Sequence, residues 1–146
     1  KPFKTVWMHG DFKIENLMID PKNLEINGII DWDLSREIGL PFLDLLYLFA
    51  YNRVIREEKS IEQILLDYII PEKWSRFERT AQEEYFRSLN IDMDFAELLT
   101  FMFWIYHVAY RIEIYPRTNE LIEKMLLVLK AFEKIIENFT AKLSLG

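Results

Sequence analysis

The pattern of apolar and polar positions changes near residue 40. Before it, residues 16–20 (NLMID) and 26–31 (INGIID) are short β-prone runs separated by PKNLE. Pro21 and Asn23 in that separator favour a turn, so the pattern predicts a β-hairpin. After residue 40, apolar residues recur every three or four positions, which is typical of helices with one buried face.

About five helices are predicted between residues 41 and 146. Their start signals are Pro41, Ser60 with Gln63, Pro71, Asp92 and Pro116 with Thr118. Pro suits a first helical turn, and a Ser followed three positions later by Gln has the spacing of a capping box. The last helix carries an apolar stripe formed by Leu121, Met125, Val128, Phe132, Ile135 and Phe139. The expected fold class is mainly α (α+β), a small hairpin followed by a helical body.

The amino-acid composition limits the classes of protein to which this chain can belong. The chain has 146 residues, 51% of them hydrophobic, which suits one globular domain with a core. A net charge of −6 without a basic stripe argues against a nucleic-acid partner. The longest apolar run, residues 98–110, is shorter than the roughly 20 residues of a membrane span. The chain has no Cys, which fits a reducing compartment, so we expect a cytoplasmic protein.

The polar stretch HGDFKIEN, residues 9–16, stands just before the first strand of the hairpin. If the turn is centred between Asn23 and Leu24, Asn16 lies opposite Asp31 on the second strand. Directly opposed residues have Cβ atoms about 5 Å apart. An amide oxygen and a carboxylate are suitable ligands for Mg²⁺, so this placement predicts a metal site at the open end of the hairpin.

Asp11 and Lys13 lie in the same stretch and add the other elements of phosphoryl transfer. Asp11 precedes the proposed metal corner by five residues and could take a proton from an attacking hydroxyl. Lys13 could offset charge on a phosphoryl group. Phosphoryl transfer needs metal, positioning and charge neutralisation more than covalent help from the protein.

Three motifs together resemble a known superfamily. HGDFKIEN, the later GIIDWD and the following GLPFLDLLYL resemble the catalytic half of the protein-kinase-like fold. The Gly in HGD and the GIIDWD ending make the chain more similar to the aminoglycoside phosphotransferase and choline kinase family than to protein kinases. The resemblance implies a small-molecule kinase that uses Mg²⁺ and ATP or GTP.

The resemblance also implies roles for single residues. Asp11 would be the catalytic base, and Asn16 and Asp31 would be the Mg²⁺ ligands. His9 would brace the catalytic loop, and Asp44 would accept hydrogen bonds from it.

Some positions stay open at this point. Lys13 either faces the γ-phosphate or is a solvated lysine, and Asp33 is either a supporting acid or a plain cap. His107 is expected to be a hydrogen-bonded core histidine, and the aromatics Trp104, Tyr106 and Tyr110 are expected in the core.

The resemblance sets the expected domain organisation. Residues 1–40 would carry the catalytic and metal loops, and residues 41–146 would form the helical body of the large lobe. The small nucleotide-binding lobe is expected ahead of Lys1 and is absent from this chain, so the isolated lobe is expected to be inactive. The acceptor is left open among aminoglycosides, sugars and amino alcohols.

Two alternatives remain at the level of sequence. Asp31 and Asp33 also match the D-x-D of some glycosyltransferases, although that reading leaves HGDFKIEN unexplained. The second alternative is a non-catalytic kinase-like binding domain. Such a domain is expected to lack Asp11, Asn16 or Asp31, and all three are present.

Overall fold

A computed structural model describes residues 4–114 and 118–143 of the chain. In these ranges four short strands precede five helices. The bounds are β1 Val6–Met8, β2 Leu17–Ile19, β3 Ile26–Ile29, β4 Arg36–Gly39, α1 Leu43–Glu57, α2 Ile61–Ile64, α3 Arg76–Leu89, α4 Ala96–Ile114 and α5 Asn119–Leu143. The mostly helical architecture with small antiparallel pairs agrees with the prediction. Over the same ranges, no helix is long and apolar enough to cross a membrane.

The strands form two separate antiparallel pairs. The predicted hairpin is present as β2–β3. The pair β1–β4 was not predicted, because its strands are short and lie about 30 residues apart in sequence. At Gly39 an added Cβ would lie only 2.6 Å from the Cβ of Met8, so the close approach of β1 and β4 requires glycine there. This pairing brings the two ends of the segment 9–35 together.

Side-chain caps define the starts of several helices as predicted. Ser60 and Gln63 form a reciprocal capping box at α2. Asp92 accepts a hydrogen bond from the backbone N–H of Asp94 ahead of α4, and Thr118 caps the first turn of α5. Pro116 lies outside the described residues.

The predicted start of the third helix at Pro71 is wrong by five residues. Pro71 instead lies in the turn after a π-helical segment, Leu65–Ile69, that continues α2. The helix α3 begins at Arg76 because Ser75 and Glu78 form a second capping box. The Ser75 hydroxyl accepts from the N–H of Glu78 at 3.2 Å, and the Ser75 N–H donates to Glu78 Oε2 at 2.7 Å.

One hydrophobic core lies between the five helices and the π-helical segment that continues α2. Its largest fully buried apolar side chains include Leu46, Ile64, Leu65, Phe86, Trp104, Val128 and Phe132. The predicted stripe on α5 is confirmed at Leu121, Val128 and Phe132, and Met125 packs beside them. The side chains of Ile135 and Phe139 lie outside the described ones. Burial of each large apolar side chain stabilises the fold by roughly 1.5–3 kcal/mol.

A buried ion pair joins α1 to α3. The Arg53 guanidinium donates from Nε to Glu78 Oε1 at 3.0 Å and from a terminal nitrogen to Oε2 at 2.5 Å. The guanidinium carbon of Arg53 also lies 4.6 Å from the centroid of the Tyr68 ring. Burial opposes ionisation of Glu78, but hydrogen bonds from Arg53 and Ser75 outweigh it and lower the pKa of the carboxyl below its usual 4.5.

Replacing Arg53 by Met should lower the free energy of unfolding by about 3–5 kcal/mol, because Glu78 is left as a buried charge without its partner. Arg56→Met on the exposed side of α1 is the matched control and should cost less than about 1 kcal/mol. Since the pKa of Glu78 is lowered by folding, its contribution is present above pH 4.5 and is lost as the pH falls below that value. Urea unfolding at pH 7 and pH 3.5 measures both effects. Equal losses for the two variants at pH 7 would contradict the assignment.

Candidate active site

The loop that follows β1 is fastened to the first turn of α1. The backbone N–H of His9 donates to Asp44 Oδ2 at 2.6 Å, and that of Gly10 donates to Oδ1 at 2.9 Å. Both oxygens of this half-buried carboxylate therefore bind the loop, which is the contact that the resemblance implies. Gly10 has φ +86°, and a Cβ there would lie 2.4 Å from the carbonyl oxygen of Leu34. Position 10 therefore requires glycine.

The buried His9 ring connects this loop to the end of β3. Its Nε2 lies 2.9 Å from the carbonyl oxygen of Ile30, and its Nδ1 accepts a hydrogen bond from the backbone N–H of Asp11 at 3.3 Å. A carbonyl only accepts and an amide N–H only donates, so the ring is neutral with its proton on Nε2. The predicted bracing role of His9 matches these contacts.

The Asp11 carboxylate is surrounded by polar side chains. Its Oδ2 lies 2.7 Å from Lys13 Nζ and accepts a hydrogen bond from Asn16 Nδ2 at 3.2 Å. The bond to Asp11 is the main cause of the raised pKa of Lys13. Burial raises the pKa of the Tyr47 hydroxyl, and the neighbouring Asp11 charge adds to it. Lys13 is therefore an ion-pair partner of Asp11 and not a plain solvated lysine.

The amide nitrogen of the buried Asn16 side chain is hydrogen-bonded to the loop. Its Nδ2 also donates to the backbone oxygen of Asp11 at 2.8 Å, which leaves Oδ1 as the atom that can bind a metal. No cluster of three or more His, Cys, Asp or Glu that could hold a metal by itself occurs in the described part of the chain. Mg²⁺ typically takes one or two carboxylates together with substrate phosphates. A metal held by Asn16 and Asp31 would therefore need nucleotide phosphates to complete its set of ligands.

The predicted cross-strand opposition of Asn16 and Asp31 is wrong by one residue. The backbone N–H of Ile30 donates to the oxygen of Asn16 at 3.0 Å, so Asn16 is paired with Ile30. Ile19 pairs with Ile26, which centres the turn between Lys22 and Asn23, one residue earlier than the count assumed. An irregularity between Met18 and Ile19 then reduces the resulting offset from two residues to one. Asp31 follows the strand with φ +64° and is exposed. Its role as a metal ligand stays a prediction.

A cleft of about 760 Å³ opens beside the catalytic loop. Asp11, Lys13 and Asp33 line it on the loop side. Asp33 also lies in the turn that the hydrogen bond from the Ser35 N–H to the Trp32 carbonyl closes, so its role as a supporting acid stays a prediction. The opposite walls come from one face of α1 and one face of α4. The aromatic side chains on these walls are Tyr47, Tyr51, Phe103, Tyr106, His107 and Tyr110.

The prediction that the aromatic residues of α4 lie in the core is only partly right. Trp104 is fully buried as expected, but Tyr106 is half-buried and Tyr110 is 43% exposed, and both face the cleft. His107 stacks on Trp104 with 5.6 Å between ring centroids and also lines the cleft. In the described structure its Nε2 has no hydrogen bond, since Glu62 Oε1 is 3.9 Å away. The prediction of a hydrogen-bonded core histidine is therefore wrong.

Comparison with known proteins decides the family. The family model described as the phosphotransferase enzyme family matches residues 1–79, which is more than half of the chain. The chain belongs to the phosphotransferase enzyme family. The matched residues include all four strands, the loop after β1 and the helix α1 that carries Asp44 and Tyr47.

The chain is also similar to short parts of longer curated proteins. Over 44 residues it is 41% identical to acyl-CoA dehydrogenase family member 10 of Mus musculus, 42% to member 11 of Mus musculus and 36% to member 11 of Homo sapiens. The match covers 30% of this chain, but only 4% of the first relative and 6% of the other two. The chain thus corresponds to a small part of those proteins. No solved structure matches it.

Most of the polar centre of the candidate site is predicted from the sequence, whereas its aromatic wall is not. Asp11, Lys13 and Asn16 lie together as expected, on a loop bound by Asp44. Tyr47 and Tyr51 were missed. A signal for them exists, because they follow Asp44 at intervals of three and four residues and therefore share its helix face.

Proposed function

We propose that this chain is the large lobe of a protein-kinase-like small-molecule kinase. In the intact protein, the γ-phosphate of ATP or GTP is transferred to a hydroxyl of a small molecule. The observation that carries this proposal is the Asp11 carboxylate at the cleft, contacted by Lys13 and Asn16 on a loop bound to Asp44. Membership of the phosphotransferase enzyme family supports it at the level of reaction class.

In the proposed reaction the acceptor lies in the cleft with its hydroxyl at Asp11. The acceptor oxygen bonds to the γ-phosphorus as its proton passes to the Asp11 carboxylate. The bond between the γ-phosphorus and the β,γ-bridging oxygen breaks, and the nucleoside diphosphate leaves with that electron pair. Lys13 turns from Asp11 toward the γ-phosphate and offsets its charge. Tyr47, next to Asp11, orients the carboxylate.

Asn16 Oδ1 and the Asp31 carboxylate would hold Mg²⁺ together with the nucleotide phosphates. The ion supplies charge neutralisation on those phosphates when bound. The left-handed backbone of Asp31 fits this assignment, because strained positions of non-glycine residues are frequent at functional sites. Asp33, at the cleft, is proposed as a supporting acid.

The strands leave large apolar side chains open to solvent, which supports a covering small lobe in the intact protein. Trp7 is 66% exposed, Ile38 76%, Ile26 57% and Met18 54%. Apolar exposure of this size marks interaction surfaces more often than free surface. We assign it to the nucleotide-binding lobe expected ahead of Lys1. A cytoplasmic location is part of this proposal and rests on the absence of Cys.

The second candidate is a non-catalytic domain that binds nucleotide without transfer. Presence of Asp11, Asn16 and Asp31 argues against it, and the ion pair between Lys13 and Asp11 is the one contact that would suit it. The D-x-D glycosyltransferase alternative finds no support in the family match. Turnover of an acceptor separates the two remaining candidates.

The Asp31→Ala variant tests the proposed metal site. In the intact protein, nucleotide affinity measured by calorimetry over a range of free Mg²⁺ should become at least about tenfold weaker, because a ligand of the bridging ion is removed. Glu37→Ala, which removes an exposed carboxylate from β4, is the control and should behave like the parent. Unchanged Mg²⁺ dependence in Asp31→Ala would remove Asp31 from the site.

A further inference from the structure

The walls of the cleft offer flat apolar surface to an acceptor. The rings of Tyr47 and Tyr51 on α1 stack with 5.7 Å between centroids and 12° between planes. Tyr106 and Tyr110, one turn apart on α4, line the same cleft and are partly exposed. A volume of about 760 Å³ is typical of sites for small organic molecules. Such walls favour a molecule with an aromatic or apolar body over a fully hydrated one.

The carboxylates of the cleft are largely committed to partners in the protein. Those among its described lining residues are Asp11, Asp33 and Asp44. Both oxygens of Asp44 accept hydrogen bonds from the loop backbone. Asp11 is paired with Lys13 in this structure and contacts the acceptor hydroxyl in the proposed reaction. Only Asp33, on the loop side, remains to attract a cation. This lining gives little attraction for an acceptor that carries several positive charges.

The cations of the cleft lie over its tyrosine rings. Lys13 Nζ is 5.5 Å from the centroid of Tyr51, and the Arg36 guanidinium carbon is 5.8 Å from that of Tyr106. A cationic acceptor would compete with these side chains for the same ring faces and would be repelled by their charges.

Arg36 also has unused capacity for binding an anion. Within the described ranges, no carboxylate lies at ion-pair distance from its guanidinium, although five other Lys and Arg side chains there have such partners. A planar guanidinium that rests on a ring keeps its N–H donors free at the edge. That edge matches the two oxygens of a carboxylate or a phosphate.

From these observations we propose that the acceptor is an anionic hydroxyl compound with an aromatic or apolar body. The inference rests on the proposed phosphotransfer and names its acceptor class. The body of the molecule packs against the tyrosines of α1 and α4, its hydroxyl reaches Asp11, and its acidic group binds Arg36. Arg36 is thus the residue that selects for negative charge.

Three matched probes test this charge preference in the full-length protein. They are 4-(hydroxymethyl)benzoate, 1,4-benzenedimethanol and 4-(aminomethyl)benzyl alcohol, which share a ring and a primary alcohol and differ in charge. Calorimetry measures the Kd of each probe, and nucleotide consumption with Mg²⁺ measures phosphorylation separately. The anionic probe should bind most tightly. Arg36→Gln should weaken its binding about ten- to hundredfold, with Arg36→Lys in between, and should leave the neutral probe within about twofold.

Arg79→Gln on α3 is the matched control, because Arg79 is an exposed arginine away from the cleft. Tightest binding of the neutral or cationic probe, equal effects of Arg36→Gln and Arg79→Gln, or no binding of any probe would each overturn the inference. Preferential phosphorylation of a neutral or cationic probe would also overturn the inference, but it would leave the proposed phosphotransfer function intact. If the anionic preference depends on Arg36 but no probe is phosphorylated, the proposed function fails and the anion site stands.

Discussion

Asp11→Asn in the intact protein is expected to lower kcat by about 10²–10⁴, the range typical of general acid–base catalysis. The change keeps the size of the side chain and removes the group that takes the acceptor proton. Nucleotide affinity should stay nearly unchanged, because Asn16 Oδ1 and Asp31 are the proposed nucleotide–metal contacts. Steady-state kinetics with a phosphorylated acceptor give kcat, and calorimetry gives nucleotide affinity.

The control for this experiment is Asp94→Asn, which changes an exposed Asp ahead of α4 and away from the cleft. It should keep the parent rate. A second comparison, Lys13→Met, separates the base from its ion-pair partner. It should raise KM for the nucleotide or lower kcat, because Lys13 is proposed to face the γ-phosphate. Turnover of Asp11→Asn at the parent rate would show that the proposed mechanism is wrong.

Asp44→Leu is expected to lower the free energy of unfolding by roughly 2–6 kcal/mol, since the N–H groups of His9 and Gly10 each lose a charged partner at ~1–3 kcal/mol. The same change should release the catalytic loop and remove activity. Urea unfolding measures the stability. Amide hydrogen exchange at residues 9–11 reports whether the loop stays ordered.

Asp44→Asn provides a graded comparison, because one oxygen remains to accept one of the two hydrogen bonds. It should fall between the parent and Asp44→Leu in both stability and exchange protection, and it remains informative if Asp44→Leu does not fold. The role assigned to Asp44 would be refuted by parent-like unfolding of Asp44→Leu with full protection of the loop amides.

The helical half could be predicted because its signals are local. The capping box at Ser60 and the cap at Asp92 are read from residues two or three positions apart. The start of α3 was misplaced because Pro71 and Ser75 both carry start signals. The hydrogen bonds between Ser75 and Glu78, together with the bond from Arg53 to Glu78, favour the later start.

Spacing alone predicts the candidate site only where its residues lie within one stretch. His9, Asp11 and Asn16 lie within eight residues, so spacing suffices for them, whereas the contact of Asp44 with this loop was expected from the family resemblance. The position of Asp31 depends on the register of β2 and β3. The turn is centred one residue earlier than the count assumed, and an irregularity between Met18 and Ile19 removes half of the resulting two-residue offset. Sequence counting alone reveals neither feature.

Contacts between distant segments account for what was missed. The β1–β4 pair joins three-residue and four-residue strands whose pattern is too short to recognise. The aromatic cleft needs the faces of α1 and α4 to meet, and each face viewed separately resembles an ordinary core stripe. Arg36 reaches the cleft only because β4 pairs with β1.

The central claim is transfer of phosphate to a small-molecule hydroxyl, and ³¹P NMR of the intact protein with ATP, Mg²⁺ and an acceptor tests it most directly. The account predicts a phosphomonoester signal of the acceptor that grows in equal amount with nucleoside diphosphate, requires Mg²⁺ and is lost in Asp11→Asn. Bound nucleotide with no phosphomonoester from anionic, neutral or cationic acceptors, or with inorganic phosphate as the sole product, would contradict it.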